Sequence, residues 1–228
     1  MTIHYLTRRT FACMKMARFV PITVDMTGAV LTHLRESFFA DEPLNAAVGL
    51  CERGQGHAAL DRLCANTIRD GLSVAAVDGN EILGVALNGI LKPGDVEKSI
   101  ENIQQSGDEK YNKIFKILYS VTHELDLFTT YGVDRILECR VVSVAESARG
   151  CRYGHELMKR SVDVAKEHGF KLFKVDATGA YSHRIANNLG LTTLRRVPYA
   201  TYCDEHGQIV FPVSPPHEAL NIMVLQLP

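Results

Sequence analysis

The sequence predicts a single domain of the α/β (α+β) class, with helices flanking a mixed, mostly antiparallel sheet. Three patterns carry this prediction. Two apolar runs, 72–77 and 82–91, flank an Asp-Gly-Asn-Glu turn signal, as in an antiparallel hairpin. Strand, helix, strand and helix patterns then alternate over 134–190, which indicates a parallel strand pair joined by a crossover. Two further strand patterns, at 192–202 and 220–227, add to the sheet.

The first part of the chain predicts one strand followed by helices. Residues 16–22 alternate as a strand does, and apolar residues recur at helical spacing over 27–40 and 58–70. The second of these helices should end at Gly71, in a C-cap position. Residues 1–15 show no clear pattern, so we expect them to be an N-terminal extension of the domain.

A second group of helices is predicted between the hairpin and the parallel pair. Residues 92–108 are polar and indicate a loop that contains a short helix at 96–104. Apolar residues over 111–128 then form a stripe of nearly five turns, which predicts one long helix packed on the core and ended by Gly132. No internal repeat or low-complexity segment occurs.

Composition and charge exclude several classes of function. The chain has 228 residues, of which 46% are apolar and 22% charged, which is enough to bury a sizeable core. Its formal net charge of −1 gives no electrostatic case for binding nucleic acid or an anionic membrane surface. No apolar run approaches the roughly eighteen residues that span a bilayer, and we predict no signal peptide. Nothing in the sequence indicates an obligate protein partner.

Six cysteines occur, without Cys-x-x-Cys and without the Cys/His spacing of a zinc site. We therefore predict no metal site, and free thiols in a reducing cytoplasm. Cys151 should lie at a helix N-terminus beside Arg149 and Arg152, which would depress its thiol pKa. A reactive thiolate is one interpretation of this cysteine, and an ordinary loop residue is the simpler one.

The segment 136–157 predicts a phosphate-binding junction. The β-branched residues Val141, Val142 and Val144 indicate a buried strand, which a polar loop joins to an amphipathic helix. Backbone N–H groups at a helix N-terminus form a ready site for phosphate oxygens. Glycine-containing turns between strand and helix are common, so an ordinary turn remains an alternative. The glycine patterns of a P-loop or a Rossmann fold are absent.

This junction resembles the pyrophosphate-binding loop of the GNAT superfamily of N-acetyltransferases, whose pattern is Gln/Arg-x-x-Gly-x-Gly/Ala. Arg149 and Gly154 match the pattern, whereas Arg152 stands where the family has its first glycine. An arginine there can swing outward or contact a phosphate. The order of predicted elements is also that of this superfamily, over nearly the whole chain. The resemblance implies acetyl-CoA as acetyl donor, bound by Val142, Ser143, Val144, Arg149, Gly150, Cys151, Arg152, Tyr153, Gly154 and His155.

A second motif narrows the resemblance. Residues 38–45 read Phe-Phe-Ala-Asp-Glu-Pro-Leu-Asn, which is similar to a segment of the insect arylalkylamine N-acetyltransferases. That resemblance implies that Glu42 is the general base and acts through water. It also implies that Thr178 and Ser182, which stand where the family has two serines, assist proton movement. Ala186 stands where many GNAT enzymes place a tyrosine, as expected of the insect branch.

The acceptor is predicted to be a small primary amine. The tail segment 211–217, Phe-x-Pro-x-x-Pro-His, resembles the same family, and the residues expected around the amine are Phe38, Phe39, Tyr199 and His217. Aromatic and apolar residues dominate these segments, and Glu42 is the one acid with a motif-based claim to the interior. This balance favours tyramine, dopamine, octopamine or serotonin. A polyamine or agmatine acetyltransferase, and a non-catalytic CoA-binding protein, remain alternatives.

Overall fold

The computed structural model describes residues 17–228. The expected N-terminal extension, 1–15, and Cys13 lie outside the described residues. The described chain forms seven strands and eight α-helices. The strands are β1 (Arg18–Pro21), β2 (Val74–Asp78), β3 (Glu81–Leu91), β4 (Ile136–Val144), β5 (Leu172–Ala177), β6 (Thr192–Pro198) and β7 (Ala219–Gln226). The helices are α1 (Thr27–Ser37), α2 (Pro43–Val48), α3 (Ala58–Arg69), α4 (Asp95–Gln105), α5 (Glu109–Glu124), α6 (Leu127–Tyr131), α7 (Tyr153–Glu167) and α8 (Ala180–Asn188).

The seven strands form one mixed sheet in the order β1-β2-β3-β4-β5-β7-β6. All neighbouring strands are antiparallel except β4 and β5, which are parallel and are joined by α7. The predicted hairpin is the β2–β3 pair, and the predicted crossover is β4-α7-β5. The predicted α/β class with a mostly antiparallel sheet is therefore confirmed.

Helices cover both faces of the sheet. Apolar side chains of α1, α3 and α5, among them Val30, Leu60 and Phe115, pack with Val85 and Val141 on one face. On the other face, α7 and α8 pack against strand residues from β4 and β5. Side chains of the strands alternate between these two buried layers, which is why β4 and β5 carry apolar residues on both faces.

The parallel pair separates at its C-terminal end. Pairing between β4 and β5 runs from Leu137 to Cys139 only, although both strands continue further. Beyond this point no strand of the described chain lies beside β4 on its β5 side. Next to the point of separation, the β3–β4 register shifts so that Arg140 has no partner on β3. Such a bulge increases the local twist and bends the strand, which opens the sheet here.

Three sequence-based expectations differ from the structure. The single helix predicted over 111–128 is divided into α5 and α6, because Asp126 has φ 39° and its side chain accepts a hydrogen bond from the Thr129 N–H. The segment expected to break the first helix instead contains the short helix α2. The strand predicted over 192–202 ends at Pro198, and a single 3₁₀ turn follows.

The cysteines do not all match the expectation. Cys51, Cys64, Cys139 and Cys203 are free thiols. Cys151 is disulfide-bonded, so the prediction of a free thiol there is wrong, and a reactive thiolate at this position is excluded in this state. Over residues 17–228, no helix is both long and apolar enough to cross a membrane.

Candidate active site

Two cavities meet where β4 and β5 separate. The larger one, which we call the outer cleft, has a volume of about 1210 Å³ and is bordered by the α1–α2 turn, β4, the start of α7 and the start of α8. The smaller one, the inner cavity, has a volume of about 380 Å³ and lies between the sheet and α3, α4 and α5. Residues that line both are Phe38, Glu42, Cys139, Arg140, Asp176 and Thr178.

The outer cleft contains most of the predicted cofactor-binding residues. These are Val142, Ser143, Val144, Arg149, Gly150, Arg152, Tyr153, Gly154 and His155. Cys151 is not among the lining residues. Because no strand pairs with the end of β4 on its β5 side, the backbone donors and acceptors of that edge face the cleft. The N-terminus of the fifteen-residue helix α7 borders the same cleft, so its backbone N–H groups and dipole favour an anion there.

The loop before α7 shows why the GNAT pattern has glycine at the position of Arg152. Arg152 has φ 63°, in the left-handed region that L-residues other than Gly, Asn and Asp rarely adopt. Its side chain is exposed, as the sequence interpretation requires. Gly154 approaches β4 and α8 closely, since an added Cβ would lie 3.3 Å from Ile185 Cδ1 and 3.7 Å from Val144 Cγ2. This position therefore has little space for a side chain.

Two side-chain contacts fix the walls of the outer cleft. His33 Nε2 lies 3.0 Å from the Ser143 hydroxyl, which ties α1 to the end of β4. Burial lowers the pKa of His33 to about 4, so the ring is neutral. On the other side, Arg149 donates to Asp41 Oδ2 at 2.8 Å, and Arg53 pairs with Asp41 at 2.7 Å. The predicted cofactor loop is thereby connected to the residue that precedes Glu42.

Glu42 is the N-cap of α2. Its Oε2 accepts the Asn45 N–H at 2.7 Å, whereas Oε1 is buried and has no well-aligned hydrogen-bond partner. Burial raises the pKa of the Glu42 carboxyl, and the nearby Thr178 hydroxyl and the N–H groups of Asn45 and Leu44 oppose that shift. A carboxylate with a raised pKa and a free oxygen is suited to accept a proton near neutral pH.

The β5–α8 turn brings Thr178 to Glu42. A Cβ at Gly179 would lie 3.2 Å from Pro43 Cγ and 2.9 Å from His217 Nδ1, so glycine permits the start of α2 to pack on this turn. Ser182 lies in the first turn of α8, and its hydroxyl donates to the Gly179 carbonyl at 3.0 Å. Ser182 lines the outer cleft, while Thr178 lines both cavities.

The predicted substrate-binding residues divide into two groups. Phe38 and Phe39 line the inner cavity, in agreement with the expectation. Tyr199 lines neither cavity; it is buried behind the turn and donates its hydroxyl to the Thr178 carbonyl at 2.7 Å. His217 borders the outer cleft rather than the inner cavity, and its Nδ1 accepts the Ala180 N–H at 3.2 Å. Tyr199 and His217 both contact the turn that carries Thr178, and their predicted contact with the amine stays a prediction.

The inner cavity has largely apolar walls, charged residues of α4 (Asp95 and Lys98) and a charged patch on the sheet. Leu63, Leu87, Phe115 and Leu118 are among its apolar lining residues. The charged patch, which sequence analysis did not identify, consists of Glu138, Arg140, Lys174 and Asp176 on the sheet. A signal was present: each strand carries two charged residues at i and i+2 within an apolar run, which places both on one face.

A parallel pair that separates beside a helix N-terminus, with a buried carboxylate at the inner end of the cleft, defines the class of GNAT N-acetyltransferases. The structure is similar to that of arylalkylamine N-acetyltransferase 2 from Aedes aegypti, with 42% sequence identity and a TM-score of 0.91, over 93% of this chain and 100% of that one. The chain belongs to the arylalkylamine N-acetyltransferase family of this class. It is an acyltransferase, with acetyl-CoA as its acetyl donor.

More distant solved structures share the fold. The polyamine N-acetyltransferase of Drosophila melanogaster has 24% identity and a TM-score of 0.83, over 92% of this chain and 100% of that one. The yncA protein of Salmonella typhimurium, solved with acetyl-CoA, has 16% identity and a TM-score of 0.54, over 93% and 94% of the two chains. No family model matches the sequence.

Proposed function

We propose that this protein transfers an acetyl group from acetyl-CoA to the primary amine of an arylalkylamine, with Glu42 as the general base. The observation that carries the proposal is the position of Glu42, a buried carboxylate with one oxygen unengaged where the outer cleft meets the inner cavity. A donor in the outer cleft and an amine in the inner cavity can meet only at that junction. A binding protein would not require a carboxylate there.

The residues of the outer cleft fit acetyl-CoA. The start of α7 supplies N–H groups for the pyrophosphate, and Arg149 and Arg152 add positive charge beside them. The unpaired edge of β4 at Val142 to Val144 offers backbone groups to the pantetheine arm and the thioester oxygen. Donors fixed in a strand need no rearrangement during reaction, so they stabilise developing negative charge effectively.

The chemistry that remains for the side chains is proton transfer. The substrate enters as an ammonium and must lose a proton before its nitrogen can attack the thioester carbonyl. Glu42 accepts this proton, directly or through one water, and its raised pKa matches it to the task. Attack forms the amide C–N bond and breaks the C–S bond, so the sulfur leaves as a thiolate. The nitrogen loses its second proton as the amide forms, and that proton ends on the thiolate to give the thiol of free CoA. Thr178, beside Glu42, and Ser182 assist the movement of protons.

The walls of the inner cavity favour an aromatic amine. Phe38, Phe39 and Phe115 offer aromatic surface, and leucines such as Leu63, Leu87 and Leu118 add aliphatic surface to the wall. An arylalkylamine carries one charge and an apolar ring, which such a cavity accommodates. A polyamine would need an unpaired carboxylate for each further cation. Here Glu138 and Asp176 are each paired with Arg140 or Lys174, and apart from Glu42 the one further acid among the lining residues is Asp95, so the cavity does not supply a separate carboxylate for every additional charge of a polyamine.

The comparison of tyramine with agmatine tests the choice of amine. We expect kcat/KM with acetyl-CoA to be at least tenfold higher for tyramine at equal pH. A tenfold or larger preference for agmatine, about 1.4 kcal/mol of transition-state binding, would overturn the substrate assignment. Calorimetry with CoA provides a separate test, because an absence of binding would contradict any acetyltransferase function. The cytoplasmic location inferred from sequence stays a prediction.

A further inference from the structure

The charged patch on the floor of the inner cavity is a connected network. Lys174 is fully buried, and its Nζ lies 2.5 Å from Glu138 Oε1 and 2.6 Å from Asp176 Oδ1. Glu138 also accepts from Arg140 Nε through its second oxygen, at 3.0 Å. Arg140 in turn donates to Thr67 Oγ1 at 2.9 Å. Two cations and two carboxylates therefore balance one another on this face of the sheet.

The two carboxylates of the network differ in their remaining capacity. Both oxygens of Glu138 are engaged by cations. Asp176 uses only Oδ1, and no residue of the described chain forms a hydrogen bond or an ion pair with its Oδ2. A carboxylate can accept about four hydrogen bonds, so an oxygen without a protein partner, in a residue that lines both cavities, has room for a further donor.

Asp176 also has the right position for the amine. It lines both the outer cleft and the inner cavity, and it lies near the end of β5, two residues before Thr178, which follows the strand. Thr178 lines the same two cavities, and its hydroxyl lies near the Glu42 carboxyl. Asp176 and Glu42 thus border the junction where the amine nitrogen must lie.

We propose that Asp176 binds the ammonium group of the substrate through its free Oδ2 and holds the nitrogen beside Glu42. This inference rests on the proposed function and adds a second residue to the same site. Lys174 fixes the Asp176 side chain, Glu138 holds Lys174, and Arg140 holds Glu138. The roles of the two acids are then distinct: Asp176 binds the cation, and Glu42 removes its proton.

The electrostatic state of Asp176 agrees with this role. Burial raises the pKa of Asp176 to about 6, and the charge of Glu138 adds to the rise, while Lys174 and Arg140 oppose it. The raised pKa means that burial disfavours the ionised form of this carboxyl. A bound ammonium supplies a positive charge and favours the ionised carboxylate.

The test compares a cationic ligand with a neutral one of the same shape. Tyramine and tyrosol differ only in carrying an ammonium or a hydroxyl at the end of the ethyl chain. Their affinities for the CoA-bound protein are measured by calorimetry for the wild type, Asp176→Asn and Asp176→Glu. We expect Asp176→Asn to weaken tyramine binding about 10- to 100-fold, the size of a charged hydrogen bond, and to leave tyrosol binding within about threefold. Asp176→Glu should restore part of the tyramine affinity.

Further measurements separate a binding role from a structural one. Asp163→Asn removes one exposed carboxylate from α7 and should change neither affinity. CoA affinity reports whether each variant is folded at the cleft. An equal loss of tyramine and tyrosol affinity in Asp176→Asn, or an unchanged tyramine affinity, would overturn the inference about Asp176. Acetylation of tyramine by the wild type would still support the proposed function in that case. A wild type that neither binds nor acetylates tyramine would overturn both.

Discussion

Replacement of Glu42 by glutamine separates catalysis from stability. The glutamine keeps an oxygen that can accept the Asn45 N–H, so the cap of α2 is retained, but it cannot accept a proton. A positioned general base contributes about 10²- to 10⁴-fold, so kcat should fall at least about 100-fold, or about 2.7 kcal/mol. Thr178→Ala and Ser182→Ala should have smaller effects, because neither hydroxyl is the final proton acceptor.

Stability should change in the opposite direction. Burial raises the pKa of Glu42 above its value in the unfolded chain, so the folded state favours the protonated form. The stabilisation from this carboxyl is complete below its unfolded pKa and is lost as the pH rises through the folded pKa. At pH 8 the wild type therefore contains a buried charge that is costly to maintain. Glu42→Gln should unfold at an equal or higher temperature there, whereas Glu42→Ala loses the cap and about 1 kcal/mol.

Steady-state kinetics with tyramine over pH 5 to 9 measures kcat, and thermal unfolding in the same buffers measures stability. In the wild type, kcat should decrease as the pH falls through the raised pKa of Glu42, because a protonated carboxyl cannot act as a base. The Gln variant should lack this dependence. A Glu42→Gln enzyme with near-normal kcat at pH 7 would refute the assignment, and Glu42→Ala would show whether the cap alone had mattered.

Three further substitutions test individual positions. Gly154→Leu should raise the KM for acetyl-CoA at least about tenfold and leave the amine KM nearly unchanged. The reason is that a Cβ added at residue 154 would lie only 3.3 Å from Ile185 Cδ1 in the wall of the outer cleft. Equal changes in both KM values would contradict this prediction. Arg152→Gly should raise the melting temperature by about 2–4 °C, since φ 63° costs a non-glycine residue about 1 kcal/mol; a lower melting temperature would show that the arginine side chain stabilises the loop. Tyr199→Phe removes the hydrogen bond to the Thr178 carbonyl and should lower the free energy of unfolding, measured in urea, by about 1 kcal/mol. An unchanged free energy of unfolding would show that this hydrogen bond does not stabilise the folded state.

Local sequence signals were sufficient for much of this protein. The Asp-Gly turn between two apolar runs predicted the β2–β3 hairpin, and β-branched residues before a polar loop predicted β4 and the start of α7. The resemblance of residues 38–45 and 149–154 to known motifs supplied the family and the candidate residues Glu42 and Gly154. These features depend on neighbours in the chain, so they are visible in the sequence.

Other features depend on residues far apart in the chain. The stripe over 111–128 is continuous, yet Asp126 adopts a left-handed conformation and caps a new helix, because side chains of α6 pack with the start of β4 and β5. Periodicity does not report such a break. Tyr199 looked like a substrate residue because it is aromatic and lies in the tail segment expected around the amine. Only its burial against the β5–α8 turn shows that it supports Thr178.

The sequence by itself indicated the fold class, the family and Glu42 as the candidate base. The tertiary structure alone decided where that carboxylate lies relative to the two cavities. The separation of β4 from β5, the bulge at Arg140 and the free oxygen of Asp176 arise from the pairing of distant strands and the packing of side chains between them. The sequence shows that a strand contains a carboxylate, but it does not show whether one or both carboxylate oxygens have partners. Those partners come from other secondary-structure elements, and only folding brings them together.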